Sequence, residues 1–139
     1  MNQTDKNIII RKIKFIQEDL PRLKETTKLS EKEYLSDITT QLATERLMER
    51  VISRLIDINY HILKTKFNTL PKDYTDSFTK LLKAKAITKQ MYDNLAPSAG
   101  LRNHLAHEYD EINPKQIYQG VKNLLKHISK YLKHISDFT

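Results

Sequence analysis

A chain of 139 residues with no cysteine, two glycines and a formal net charge of +7 excludes a disulfide scaffold and any thiolate metal site, while leaving ample length for an apolar core. Its apolar runs stop well short of the roughly 20 residues needed to cross a bilayer, and Arg11, Lys12 and Lys14 interrupt the early stretch NIIIRKIKFI before it could serve as a signal peptide. A soluble, cytoplasmic protein of one domain, residues 1–139, is therefore expected, with a surface that attracts polyanions through counterion release but does not by itself identify one.

Two glycines and four prolines leave little material for the turns of a β protein, and apolar residues recur at three- and four-residue steps, so the chain reads as all α. The first helix carries Ile9, Ile13, Ile16 and Leu20 on one side, and Pro21 is expected to bend or end it. Ser30 and Glu33 have the spacing of a capping box and start a short helical turn. A long second helix, from about Asp37 to Phe67, bears Met48, Val51, Leu55, Ile58 and Ile62 as a stripe that Leu47, Ile52, Ile56 and Leu63 widen. So broad a face touches several neighbours, which predicts a central position. After the Leu70-Pro71 break, residues 73–87 with Phe78, Leu81, Leu82 and Ile87 form a third core helix. Thr88 caps a fourth through Met91 and Leu95, which Pro97 must interrupt or kink. The last helix has Asn113 as cap, Pro114 in the first position and Gln116 three residues after the cap. Behind that start, Ile117, Val121, Leu124, Ile128, Tyr131, Ile135 and Phe138 make one unbroken stripe.

Between the fourth and last helices lies LRNHLAHEYDEI, residues 101–112, whose polar side chains no core requires. On a continuous helix, with Arg102 at zero, Tyr109 falls at about −20°, Ala106 at about 40°, Asn103 at about 100° and His107 at about 140°. Leu101 and Leu105 take the opposite side and point into the bundle, leaving Arg102, Asn103, His107 and Tyr109 on a polar arc around the small Ala106. The chemistry suits a phosphate. Arginine is a permanently charged fork that matches phosphate oxygens, and histidine exchanges a proton near neutral pH. Together they supply charge stabilisation and general acid or base catalysis, the two requirements for cleaving RNA through its own 2′-hydroxyl. No metal or other cofactor is required for that. Asn103, one turn before His107, is placed to orient the imidazole or hold a backbone group. Zinc on His104 and His107 would lack further ligands, since HEYDE is not the HExxH pattern.

Arg102-Asn103, His107 and Tyr109 resemble the RX4HXY signature of the HepT-like toxins, a branch of the HEPN superfamily of helical ribonucleases. The likeness extends over nearly the whole chain, through ERLMERVISRLIDINYHIL, LPKDYTDSFTKLL and the Asn113-Pro114 step. It implies an antiparallel bundle of four to five helices and a homodimer in which both copies of Arg102 and His107 form a composite, metal-independent endoribonuclease site. It further implies the toxin of a type VII toxin–antitoxin system, neutralised when a minimal nucleotidyltransferase antitoxin of the MntA kind transfers AMP to Tyr109. AMP there would set a negative phosphodiester beside Arg102 and keep RNA out.

Three other readings of the same residues stand beside the ribonuclease. In one, the chain is a non-catalytic helical subunit that binds nucleotide or substrate for a minimal nucleotidyltransferase, with Arg102 and His107 gripping phosphate and cutting nothing. In the second it is a plain helical interaction module with a solvated arc. The third, a DNA-binding helix-turn-helix, suits the chain less well because its basic residues spread over several helices.

Overall fold

The three- and four-residue apolar steps become helices throughout the computed structural model, which describes residues 1–139 apart from the side chain of Tyr109. Seven α-helices follow one another: α1 (Gln3–Thr26), α2 (Glu31–Leu35), α3 (Ile38–Phe67), α4 (Tyr74–Lys83), α5 (Lys89–Leu95), α6 (Ser98–His107) and α7 (Pro114–Phe138). A 3₁₀ turn, Tyr109–Glu111, joins the last two, and no strand occurs among the described residues. Taking α2 as a single turn and α5–α6 as one helix broken at Pro97, these are the five helices of a HEPN bundle.

The starts follow local chemistry closely. Asp5 N–H donates to Asn2 Oδ1 at 2.8 Å, Thr40 N–H to Asp37 Oδ1 at 3.0 Å and Asp76 N–H to Asp73 Oδ1 at 2.7 Å, each satisfying a donor that the helix leaves free. Both halves of the Ser30–Glu33 capping box form, and Asn113 Oδ1 accepts from Lys115 N–H at 3.0 Å with Pro114 behind it. The backbone N–H bond from Thr40 holds the Asp37 carboxyl below its ordinary range, and the bond from Ser30 does the same for Glu33.

Of the two outcomes expected at Pro21, a bend or an end, the helix does not end: α1 runs on to Thr26. Gln17, whose carbonyl the proline leaves without its helical donor, lies on an exposed stretch, while Leu23 is fully buried and anchors the final turn. The third core helix stops at Lys83 and not near residue 87, because Lys85 turns left-handed at φ 59° and Ala86 N–H bonds back to Leu81.

One apolar cluster draws buried side chains from α1, α3, α4, α5, α6 and α7, with α3 packed against α1, α2, α4, α6 and α7 as its wide face predicted. Leu55, Ile58 and Ile62 are fully buried there, and truncating one of them to alanine should cost about 2–5 kcal/mol. A polar group is built into this interior and is internally satisfied. Tyr131 Oη donates to Asn59 Oδ1 at 2.7 Å, Asn59 Nδ2 to Ser77 Oγ at 3.2 Å, and Ser77 Oγ to the Tyr74 carbonyl at 2.7 Å. The network ties α7 to α3 and α3 to the first turn of α4, and thereby fixes where Tyr74 stands.

Candidate active site

α6 is short because it is broken at both ends. Pro97 has no N–H to offer the preceding turn, so α5 ends at Leu95 and a new helix opens at Ser98, as proline chemistry requires. At the other end Glu108 takes φ −127°, ψ 37°, outside helical geometry. The continuous wheel drawn from Leu101 to Tyr109 therefore holds only as far as His107, and the angle assigned to Tyr109 falls away; its side chain lies outside the described residues.

The helix is aimed by its apolar side. Leu105 is buried, and Leu101 lies over Gly120 of α7 so closely that a Cβ added there would come within 2.8 Å of Leu101 Cδ1. Glycine at 120 thus permits a close crossing of α6 and α7, with Arg102 directly after the contact.

Arg102 turns inward, not out into solvent. Its Nε donates to Ser53 Oγ of α3 at 2.7 Å, and its Cζ sits 5.4 Å from the ring centroid of Tyr74 at the start of α4. Both partners are neutral: the hydroxyl fixes the plane of the fork and the ring attracts the cation, yet neither cancels its charge. Nη1 is buried and has no hydrogen-bond partner among the described residues.

His107 is exposed at the C-terminal end of α6, and Asn103 is exposed one turn earlier with no side-chain hydrogen bond among the described residues. Asn103 therefore does not hold the imidazole within this chain. His104, between them, pairs through Nδ1 with Glu108 Oε2 at 2.9 Å across the helix end, and no cluster of potential metal ligands occurs among the described residues. Arg102 and His107, five residues apart on one helix, project about 140° from each other. Within one protomer they do not converge: Arg102 is turned toward Ser53 and Tyr74, while His107 is exposed at the helix end. An open cavity of about 720 Å³ lies elsewhere, between α1 and α7, lined by Leu20, Pro21, Lys24, Lys122 and Leu125 among others.

Sequence reasoning missed Ser53 and Tyr74. A signal for Ser53 exists, as the one small hydroxyl residue in the apolar and charged stretch 45–58 of α3. Tyr74 carries no comparable mark, since only the packing of α4 against α6 brings it to Arg102.

A helical bundle presenting an arginine and a histidine on one short helix defines a HEPN-type ribonuclease. The family described as HepT-like, Ribonuclease HepT-like, matches residues 16–135, and the chain belongs to it. It is 36% identical over 141 residues to the tRNA nuclease HepT of Aphanizomenon flos-aquae, covering 99% of this chain and 94% of that protein. It is 29% identical over 126 residues to the mRNA nuclease HepT of Shewanella oneidensis, covering 91% and 94%. Among solved structures, the tri-AMPylated Shewanella oneidensis HEPN toxin in complex with MNT antitoxin superposes with a TM-score of 0.84 at 29% identity, covering 99% of both chains.

Proposed function

We propose that residues 1–139 form one domain that acts as the toxin of a type VII toxin–antitoxin pair in the cytoplasm, an endoribonuclease whose active site is assembled by two copies of the chain. The observation that carries this reading is Arg102, held by the neutral partners Ser53 and Tyr74 with its charge uncancelled. A scissile phosphate supplies the missing anion. His107, exposed on the same helix, supplies the proton transfer that 2′-hydroxyl attack requires: one imidazole takes the 2′-hydroxyl proton, the 2′-oxygen bonds to phosphorus, and the 5′-oxygen leaves protonated by the second imidazole. Since Arg102 and His107 diverge around α6, a two-fold partner is what brings the second set of groups onto one phosphate. Metal is not part of this scheme.

The relatives named above are a tRNA nuclease and an mRNA nuclease, and the superposed toxin is tri-AMPylated and bound to an MNT antitoxin. By the same logic a minimal nucleotidyltransferase neutralises this chain by AMPylating Tyr109. The attached phosphodiester, two residues after His107, would compete for the cation that RNA needs.

The purified protein should cut RNA in the presence of EDTA. Arg102→Ala and His107→Ala should each lower cleavage by at least 10²-fold while the protein stays folded and elutes as a dimer. Cleavage that requires added metal, or that survives in His107→Ala, would overturn the proposal. Intact-mass spectrometry after co-expression with the antitoxin should show AMP additions that disappear in Tyr109→Phe.

A further inference from the structure

Beside the Arg102 site, on the other flank of α3, three arginines converge on one buried carboxylate. Asp19 of α1 is fully buried, yet it receives Arg22 Nη1 on Oδ1 at 2.8 Å, Arg54 Nη1 on Oδ2 at 3.0 Å and Arg50 Nε on Oδ2 at 3.2 Å. Three cations against one anion leave two positive charges in excess. Of the nearby charges, Lys12 pairs with Asp57 and Arg46 with Glu49, while Glu18 beside Asp19 makes no ion pair with the cluster among the described residues.

The cluster is also directed. Each guanidinium faces Asp19 with a single nitrogen, leaving other N–H groups of the fork free to turn outward. Arg54 is held further by the Phe15 ring, 5.0 Å from Cζ. The side chains of Arg22 and Arg50 remain 62% and 40% exposed. Asp19 thus works as a pin: it fixes three forks that would otherwise repel and move apart, at the loss of only one of their charges. Along α3, Arg54 is the residue after Ser53 and Arg50 lies one turn before it, about 5 Å along the axis, and Ser53 is the residue that holds Arg102.

We infer that the Arg22–Arg50–Arg54 cluster is a second phosphate subsite, which grips the RNA backbone a short way from the phosphate cleaved at Arg102. This rests on the ribonuclease reading for its substrate, but its binding can be measured without cleavage. A strand that lays one phosphate on Arg102 can continue over α3, where Arg50 and Arg54 lie within about one helical turn of Ser53. The subsite selects polyanions by backbone and not by base, so it would favour long RNA over a dinucleotide without dictating sequence.

The test is binding of a fluorescent single-stranded RNA of about 20 nucleotides to the His107→Ala protein, as a function of salt. Adding Arg50→Gln should raise Kd several-fold and reduce the salt slope by about 0.7, the loss of one phosphate contact. Arg22→Gln, at the more exposed position, should act in the same direction and guards against misfolding at Arg50. Lys130→Gln, which removes the same charge from the exposed side of α7, should leave the slope unchanged. Equal effects of all three substitutions, or none, would overturn the subsite. If the native protein cuts RNA while the arginine variants bind like their parent, the subsite alone fails. If the native protein cuts nothing but binds RNA through Arg50, the subsite stands and the nuclease reading falls.

Discussion

Two neighbouring places on α3 treat the guanidinium group in opposite ways. On the α1 side, Arg50 and Arg54 share one buried carboxylate, and the result is a strut between helices that still carries surplus positive charge. On the α6 side, Arg102 meets a hydroxyl and an aromatic ring, partners that orient without neutralising. The difference teaches what separates an arginine anchored by an ion pair from one that is only aimed in the same fold. Burial alone does not decide it; the charge of the partner does.

Breaking each arrangement should therefore have different outcomes. The largest stability effect is expected from Asp19→Ala, which strands three guanidiniums around an apolar hole and should cost about 3 kcal/mol or more by denaturant unfolding; an unchanged midpoint would mean that the strut is ornamental. Tyr131→Phe should cost less, about 1–3 kcal/mol, because Asn59 Oδ1 then lies buried without its donor, and through Tyr74 it should reach Arg102 as a modest loss of cleavage. Ser53→Ala sharpens the contrast most directly. It should hardly move stability yet lower kcat/KM about tenfold, roughly 1.4 kcal/mol of transition-state binding, because Arg102 keeps its charge and loses its aim.

The smallest effect is a pH effect. Burial pushes the Tyr34 hydroxyl up to about 12 from its ordinary 10 and raises that of Tyr131 as well. Between those values the folded protein holds protons that the unfolded chain has released, so the contribution is present below about pH 10 and is lost as pH rises toward 12. Thermal melts should show a decline above pH 10 that is shallower in Tyr34→Phe.

Much of this fold could be read beforehand because its helices begin with strong local signals. Ser30, Thr88 and Asn113 act as the caps expected of them, and the stripes on α3 and α7 are long enough to fix their inward faces. The errors lie where tertiary context outweighs local preference. The third core helix ends early, at Lys83, because a left-handed lysine that no pattern announces follows it. Within the site, Arg102 and His107 could be singled out by residue type and spacing. The inward turn of Arg102 could not, because it depends on Ser53, 49 residues away in sequence. Nor could the end of α6 at His107, which a wheel drawn through Tyr109 smoothed over.

Because Pro97 interrupts the helical bonding before α6 and Glu108 leaves helical geometry after it, its ten residues are weakly guided by the chain on either side. Their bearing comes sideways, from Leu101 nested on Gly120 and from Leu105 in the interior. Grafted onto a foreign scaffold, Ser98–His107 would bring the letters of the motif but not its pointing; a transplant that works would need the glycine notch and the α3 serine as well.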